Sequence, residues 1–306
     1  MPDSNSRVDD NLMGRAKGAS HRVRAATTRR IRRRQALHAI ERLPSSVHSG
    51  ARWLVTREAT GSERELASSI ESVRYGIASL GDTEIRSLSS PVPGSFNRDS
   101  GTASTGPMTA ASASAHSRTG SSASKGILLK RLAEGIEATS ILELGSNTGM
   151  SASYLASSAY CGALVTVEGS EDLAQIAQRT VDRFSDRATV KRMLFDEALN
   201  ELVASGRLFG FAFLDGQHEP EATMYYTRRL TELLHPGGMI VLDDIYWSKG
   251  MNEAWRMLKD AHRFASSVDF GTVGVLITEG GPIEDSGSHD FAKFLGRPRI
   301  PSRIGD

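Results

Sequence analysis

The sequence predicts an α/β fold built on a doubly wound, mostly parallel sheet of seven strands, with an N-terminal helical extension. Two observations predict it. After residue 125, short β-rich runs alternate with helical patterns, and each of the first five runs is followed by a plausible helix. Residues 268–270 and 274–278 are close enough to form a hairpin, which makes the last strand antiparallel. Ligands of such sheets bind at the carboxyl ends of the strands.

Composition limits the class of protein. The chain has 306 residues, of which 39% are hydrophobic and 24% charged, and these values are typical of a globular protein with a sizeable core. Cys161 is the single cysteine, which excludes an intramolecular disulfide and a cysteine-based zinc cluster. No apolar run approaches the ~18 residues of a membrane span, and no hydrophobic signal core is present. We therefore expect a cytoplasmic protein without a membrane span.

Charge and periodicity divide the N-terminal part. Residues 1–43 hold eleven basic and four acidic residues, although the net charge of the chain is +1. Residues 1–28 lack apolar periodicity and are predicted to be a disordered basic arm, either a solvated tail or a patch for nucleic acid or anionic lipid. Residues 29–90 are predicted to be helical, and an apolar stripe from Leu66 to Leu80 is expected to pack on the main domain or in a homodimer.

The remaining boundaries follow from composition. In residues 91–124, 26 of 34 positions are Ser, Ala, Thr, Gly or Pro, which predicts a linker or a mobile flap. Residues 125–280 hold the alternating strands and helices and form the main domain. Residues 281–306 are predicted to be a C-terminal tail.

A glycine turn follows the first strand of the main domain. Gly145 and Gly149 let the backbone approach a ligand, and the helix that begins there offers free N–H groups to an anionic group. Asn147 stands where the dinucleotide fingerprint requires its second glycine. A nicotinamide cofactor is therefore disfavoured.

This turn resembles the first motif of the class I S-adenosylmethionine-dependent methyltransferases, E/D-x-G-x-x-x-G, which Glu143, Gly145 and Gly149 fit. The resemblance implies a Rossmann-like fold with S-adenosylmethionine (SAM) as cofactor. It also implies that Glu168, at the end of the second strand, accepts hydrogen bonds from the ribose, and that Asp196 approaches the adenine amino group. In the alternative interpretation, these two acids only cap or start helices. The residues expected around the cofactor are Glu143, Gly145, Ser146, Asn147, Gly149, Ser151, Glu168, Asp196 and Asp215.

Three aspartates follow the next two strands. Asp215 ends the fourth strand, and Asp243 and Asp244 end the fifth. Because these strand ends are neighbours in a parallel sheet, the carboxylates are expected to converge, and they repel one another unless they are protonated or paired with a cation. Mg²⁺ is the expected ligand of such an oxygen donor set, and a metal-free hydrogen-bonded cluster is the alternative.

The segments after the fourth and fifth strands are similar to those of metal-dependent small-molecule O-methyltransferases. In that family an Asp after the fourth strand and an Asp pair after the fifth bind the ion. His218 stands where catechol-type members carry a lysine general base, and an imidazole can accept a proton near neutral pH. The alternative is a structural or substrate-orienting histidine. A bacterial class I group shares D-G-x-H and D-D-I-x-W-S, and this pattern places Tyr246 and Trp247 beside the acceptor.

Together these features predict a SAM-dependent methyltransferase that methylates a hydroxyl of a small molecule, with His218 and Asp215 as catalytic residues and Asp215, Asp243 and Asp244 as Mg²⁺ ligands. Two alternatives remain. A nucleic-acid methyltransferase could use the basic arm, although the segment after the fourth strand lacks the N/D-P-P-Y/F motif of such enzymes. A non-catalytic cofactor-binding scaffold is the other.

Overall fold

The computed structural model describes residues 28, 30–88, 96–97, 102–103, 107–261, 263–281 and 286–296. The predicted basic arm, apart from residue 28, lies outside these ranges. No helix within them combines the length and the apolar character needed to cross a bilayer.

The N-terminal part contains mainly helices. They are α1 (30–40), a 3₁₀ turn (Ser45–Val47), α2 (His48–Thr56), α3 (Gly61–Ala78), β1 (Glu84–Leu88), β2 (Phe96–Asn97), β3 (Thr102–Ala103), β4 (Met108–Ser112) and α4 (Ala113–Thr119). Between α2 and α3 the chain turns at Arg57, whose φ is 59°, and Thr60 and Glu63 form a capping box at the start of α3.

The main domain follows without a break. Its elements are α5 (Ala123–Gly135), β5 (Ser140–Leu144), α6 (Met150–Ala156), β6 (Ala163–Glu168), α7 (Glu171–Val181), β7 (Ala188–Arg192), α8 (Phe195–Ala204), β8 (Phe209–Leu214), α9 (Pro220–Thr231), β9 (Leu234–Leu242), α10 (Lys249–Lys259), β10 (Phe264–Asp269), β11 (Gly274–Thr278), β12 (Gly287–Asp290) and α11 (Ala292–Leu295).

One sheet organises the main domain, in the order β12-β10-β11-β9-β8-β5-β6-β7. The strands β9, β8, β5, β6 and β7 are parallel, and β11 is antiparallel to both of its neighbours, as predicted. The central strands are almost wholly buried because helices cover both faces. The sheet has eight strands rather than the expected seven: β12 pairs with β10 through its backbone, and its sequence GSHD carries no apolar alternation that could have predicted it.

The apolar stripe of α3 packs within the chain itself. Ile70, Val73 and Ile77 are buried in the core cluster that also contains residues of α5 and α6, whereas Leu80 is 56% exposed. A buried ion pair reinforces this packing, because Arg131 Nε of α5 lies 2.6 Å from Glu63 Oε1. The helical extension is therefore anchored to the main domain, and a homodimer through this stripe stays a prediction.

Residues 107–124 contain a strand and a helix, within the segment 91–124 that the sequence predicts to be a linker or a mobile flap, and the flap stays a prediction. The strand β4 pairs antiparallel with β1 along all five of its residues, and α4 follows directly. Arg74 of α3 donates to the carbonyl oxygen of Ser117 at 2.7 Å and to that of Ser121 at 2.5 Å. Backbone pairing and one guanidinium group order a segment that has no apolar periodicity.

Candidate functional site

A cavity of about 600 Å³ lies at the carboxyl ends of β5, β6 and β8. Its floor is formed by loops that follow these strands, and its roof by β1, β4 and α4. Eight of the predicted residues line it: Gly145, Ser146, Asn147, Ser151, Glu168, Asp196, Asp215 and His218. Four others, Glu143, Gly149, Asp243 and Asp244, lie behind or beside its wall.

The loop after β5 requires its glycines. Gly145 has φ of 105°, and a Cβ there would lie 2.0 Å from the carbonyl oxygen of Asp215. Gly149 caps α6 with φ of 83°. Asn147 also adopts the left-handed region, with φ of 48°, which asparagine tolerates better than most residues. The loop therefore keeps the sharp turn although the middle glycine of the dinucleotide fingerprint is absent.

Glu143 lies beneath this loop and is fully buried. Its Oε2 accepts a hydrogen bond from Thr166 Oγ1 at 2.5 Å, whereas its buried Oε1 has no hydrogen-bond partner among the described residues. Burial raises the pKa of Glu143 to about 7, although hydrogen bonding acts to lower it. Glu143 is not among the residues that line the cavity, and its role in cofactor binding stays a prediction.

Glu168 ends β6 and lines the cavity. Its Oε2 accepts from the backbone N–H of Asn147 and its Oε1 from that of Ser170, each at 2.9 Å. Burial raises the pKa of this carboxyl group, and the backbone hydrogen bonds from Ser170 and Asn147 oppose that shift. Each carboxylate oxygen keeps a second lone pair, so both can still accept a hydrogen bond from a ligand hydroxyl.

Asp196 lies in the first turn of α8 on the cavity wall. Its Oδ2 accepts a hydrogen bond from the hydroxyl of Tyr226 at 3.0 Å. Its Oδ1 is buried and has no hydrogen-bond partner in the part of the chain that the structure describes. A ligand amino group in the cavity would supply the missing donor.

His116 is a cavity residue that the sequence did not predict. It lies on α4 in the roof and is 8% exposed, and its Nε2 finds no hydrogen-bond partner among the described residues. Burial lowers the pKa of His116, and its hydrogen bond to the Ile85 backbone only partly opposes this. A neutral ring that donates to Ile85 from its other nitrogen presents Nε2 to the cavity as an acceptor.

The ends of β8 and β9 bring the predicted catalytic residues together. His218 Nε2 lies 3.7 Å from Asp215 Oδ1 and 4.0 Å from Asp244 Oδ2. Burial, followed by the nearby charge of Asp243, raises the pKa of Asp215 well above its usual value and also raises that of Asp244. Asp244 has φ of 51°, a strained conformation that is concentrated at functional sites.

Lys125 is the second residue that the sequence did not predict. It lies in the first turn of α5, 118 residues from Asp243, and its ammonium group pairs with the carboxylate of Asp243. Burial acts to lower the pKa of Lys125, but the charges of Asp243 and Asp215 outweigh burial and raise it. Nothing in its local sequence distinguishes Lys125 from an ordinary helix residue.

This ammonium changes the interpretation of the aspartates. Within the described ranges, no group of three or more acidic, histidine or cysteine side chains is arranged to hold a metal ion. Asp243 already has a cation of the chain itself beside it, so the arrangement does not fit Mg²⁺ as it stands. A metal ion at Asp215, Asp243 and Asp244 stays a prediction that requires Lys125 to move.

Tyr246 and Trp247, the two aromatic residues after β9, have different surroundings. The ring of Trp247 lies 6.1 Å from that of His218 and is 44% exposed, which places it on the acceptor side. The hydroxyl of Tyr246 instead donates to Asp269 Oδ2 at 2.6 Å. Met251 and Trp255 are buried on the inner face of α10.

Comparison with known proteins agrees with this geometry. Residues 142–245 match the family model described as a methyltransferase domain, and this range holds the glycine loop, Glu168 and the predicted catalytic residues. This part of the chain is therefore similar to a methyltransferase domain. No curated protein matches the chain.

Several solved structures are similar to the chain at low identity. The O-methyltransferase TomG from Streptomyces achromogenes, involved in tomaymycin synthesis, is 22% identical with a TM-score of 0.46, over 53% of this chain and 82% of TomG. An O-methyltransferase from Bacillus cereus in complex with S-adenosylhomocysteine (SAH) is 19% identical with a TM-score of 0.48, over 70% of this chain and 91% of that protein. The SAH-bound methyltransferase PaMTH1 from Podospora anserina is 17% identical with a TM-score of 0.45, over 53% of this chain and 81% of PaMTH1.

Proposed function

We propose that this protein transfers a methyl group from SAM to a hydroxyl group of a small molecule. The observation that carries the proposal is the position of His218. Its imidazole lies between two carboxylates at the ends of β8 and β9, on the wall of the cavity that Gly145 and Glu168 also line.

The cavity wall fits SAM in charge and in hydrogen bonding. Glu168, Asp196 and Asp215 line it, and no lysine or arginine is among its described lining residues. Such a wall favours a ligand that carries positive charge. Glu168 would accept from the ribose hydroxyls, Asp196 Oδ1 from the adenine amino group, and the loop around Asn147 would contact the methionyl end.

When bound, SAM supplies a methyl group on a sulfonium. The acceptor oxygen would form the new O–C bond while the S–C bond breaks, and the electron pair of the S–C bond would stay on sulfur. His218 Nε2 would take the proton of the acceptor hydroxyl. The carboxylates of Asp215 and Asp244 would stabilise the imidazolium that forms. The residues that line the cavity would hold the acceptor oxygen in line with the methyl group. Alignment of this kind lowers the activation free energy by up to ~7–11 kcal/mol in ideal cases.

Calorimetric titration with SAH tests the cofactor site, and formation of SAH from SAM with hydroxylated small molecules tests the activity. We expect His218→Asn to lower kcat by about 10²- to 10⁴-fold, the usual contribution of a general base, while the Kd for SAH stays within experimental error. His235→Asn is the matched control, because His235 is exposed on the turn within β9, at the opposite end of the strand from Asp243.

Other outcomes would contradict the proposal. SAH binding without any methyl transfer would favour the cofactor-binding scaffold, and absence of SAH binding would exclude both the methyltransferase and the cofactor-binding scaffold. Methylation of RNA or DNA in place of every small molecule would favour the nucleic-acid alternative. The assays are run in EDTA and in Mg²⁺, so that they also test whether the aspartates require a metal ion.

A further inference from the structure

The three aspartates at the ends of β8 and β9 have a cation of this chain among them. The ammonium group of Lys125 pairs with Asp243 Oδ2, and Asp215 and Asp244 are close enough for their charges to act on Lys125 as well. Asp215 Oδ1 and Asp244 Oδ2 lie 3.7 Å and 4.0 Å from His218 Nε2. One cluster therefore contains three carboxyl groups, an ammonium group and an imidazole.

The position of Lys125 is unfavourable for its own helix. It is the third residue of α5, and the dipole of a helix disfavours a cation in the first turn. Ser122 caps this turn, because its side chain accepts a hydrogen bond from the backbone N–H of Lys125 at 3.3 Å. The helix therefore gives no reason for a cation here. The carboxylate of Asp243 does, because a buried charge is costly unless it is paired.

Close packing fixes the start of α5. A Cβ at Gly126 would lie 2.1 Å from Cδ2 of Tyr154, so the helix lies directly against the Tyr154 ring of α6. The next two residues, Ile127 and Leu128, are each 3% exposed. Lys125 consequently reaches the aspartates from a fixed backbone, and a metal ion at Asp243 would require its side chain alone to move away.

Burial leaves little space for a second cation at Asp243. Its side chain is 1% exposed, and the residue does not line the cavity that Glu168 lines. Its other oxygen, Oδ1, is buried as well and has no hydrogen-bond partner among the described residues. Mg²⁺ dehydrates reluctantly and usually keeps several water ligands. A hydrated ion would need the space and the oxygen that the ammonium group occupies, and the two cations would repel one another.

We propose that the ammonium group of Lys125 is the resident cation of this carboxylate cluster, so that the protein transfers the methyl group without a divalent metal ion. Lys125 is then a positioning residue, which neutralises Asp243 and holds the end of β9 beside His218. The proton of the acceptor hydroxyl still passes to His218. This inference rests on the proposed function, because it concerns the catalytic residues of the same site.

Binding of Mg²⁺ tests the proposal without an acceptor. The full-length protein is freed of metal with EDTA, dialysed, saturated with SAH and titrated with Mg²⁺ in the calorimeter, and its thermal unfolding is followed with and without Mg²⁺. In the wild type and in Lys125→Arg, which keeps the positive charge, we expect no binding and no change of Tm at millimolar Mg²⁺. Lys125→Met should bind Mg²⁺ under these conditions, and its Tm should rise. Lys130→Met, whose ammonium group pairs with Glu134 on the same helix, is the matched control and should behave as the wild type.

Methyl transfer gives a second readout. With an acceptor from the screen of hydroxylated small molecules, we expect the wild type to form SAH at the same rate in EDTA and in Mg²⁺. We expect Lys125→Met to have a lower kcat in EDTA, and Mg²⁺ to restore part of it because the ion returns the lost positive charge. A purely structural role of Lys125 would not make the variant respond to Mg²⁺.

The wild-type titration decides the proposal even if Lys125→Met does not fold. Binding of millimolar Mg²⁺ by the wild type, or methyl transfer that stops in EDTA and returns with Mg²⁺, would overturn it. So would a folded Lys125→Met variant that binds no Mg²⁺ and is as active as the wild type. Absence of SAH binding, or of methyl transfer in both EDTA and Mg²⁺, would instead overturn the proposed function, so the two failures are distinguishable.

Discussion

The backbone N–H of Asn147 donates to Glu168 Oε2 at 2.9 Å, and this bond joins the glycine loop after β5 to the end of β6. The carboxylate is consequently held in place before any ligand arrives. A ligand hydroxyl that binds to it does not have to order a mobile side chain, and this preorganisation favours affinity.

Glu168 should therefore be the residue whose loss weakens cofactor binding most directly. We expect Glu168→Ala to raise the Kd for SAH by an amount equivalent to about 1.5–3 kcal/mol, as for hydrogen bonds to a charged group. Calorimetric titration measures it, and thermal unfolding verifies that the variant folds. Glu201→Ala, which removes an exposed carboxylate paired with Lys191, is the control. An unchanged Kd would remove Glu168 from the cofactor site.

His116 should contribute to ligand binding through its Nε2. His116→Phe keeps an aromatic ring but removes the Nε2 acceptor together with the hydrogen bond to the Ile85 backbone, so we expect the Kd for SAH to rise by the equivalent of about 0.5–1.5 kcal/mol. The same titration with methylthioadenosine, which lacks the amino-acid part, tells whether the contact is to the nucleoside. If His116→Phe binds both ligands as the wild type does, Nε2 has no role in cofactor binding.

Removal of the Lys125 ammonium should make the aspartates a better cation site. We expect Lys125→Met to lower the Kd for Mn²⁺ by at least about tenfold, because the repulsion between two cations is lost. Paramagnetic resonance of bound Mn²⁺ measures this without an activity assay. Lys130→Met, on the same helix and paired with Glu134, is the control.

Burial of an unpaired Asp243 could destabilise the Lys125→Met variant, and the double variant with Asp243→Asn removes both charges. We expect the double variant to fold and to bind Mn²⁺ more weakly than Lys125→Met. Equal Mn²⁺ affinity in the wild type and in Lys125→Met would show that the ammonium does not compete with a metal ion.

Glu143 should make stability depend on pH. Its pKa is about 7 in the folded protein against 4.5 as the ordinary value, so the folded state binds more protons between these pH values. The free energy of unfolding therefore falls as pH rises through this interval, by about 3 kcal/mol from this group alone. We expect Glu143→Gln to be more stable than the wild type at pH 8, by a margin that shrinks toward pH 5. Urea unfolding at a series of pH values measures it, and parallel profiles would contradict it.

The sequence predicted those parts of the site that depend on local motifs. The positions of Gly145, Glu168 and Asp215 follow from strand ends and a glycine turn, and all three line the cavity. The parallel sheet could be predicted because its buried strands are continuous apolar runs. These features are visible within a few neighbouring residues.

Features that depend on distant contacts could not be predicted. His116 lies in a segment of small residues that contacts β1 and Arg74, and Lys125 pairs with a residue 118 positions away. The role expected for Glu143 shows a related limit, because a motif identifies the residue but does not tell whether its side chain reaches the cavity or lies beneath the loop.

Within the described residues, polar contacts join the roof of the cavity that Glu168 lines to its floor and to α7, where Asp172 accepts hydrogen bonds from the backbone and the side chain of Arg86. Leu88 N–H donates to Ser170 Oγ at 2.9 Å, and Asn147 Nδ2 donates to Thr119 Oγ1 at 3.1 Å. A ligand that contacts both the roof and the floor would add its own free energy of binding to the contacts between them. The amide protons of β1, β4 and α4 should therefore exchange with solvent more slowly in the complex. By the same thermodynamic linkage, a substitution that weakens the contacts between roof and floor would also weaken ligand binding, even where the substituted residue does not contact the ligand. Weak binding by a roof variant is therefore not sufficient evidence that the residue contacts the ligand.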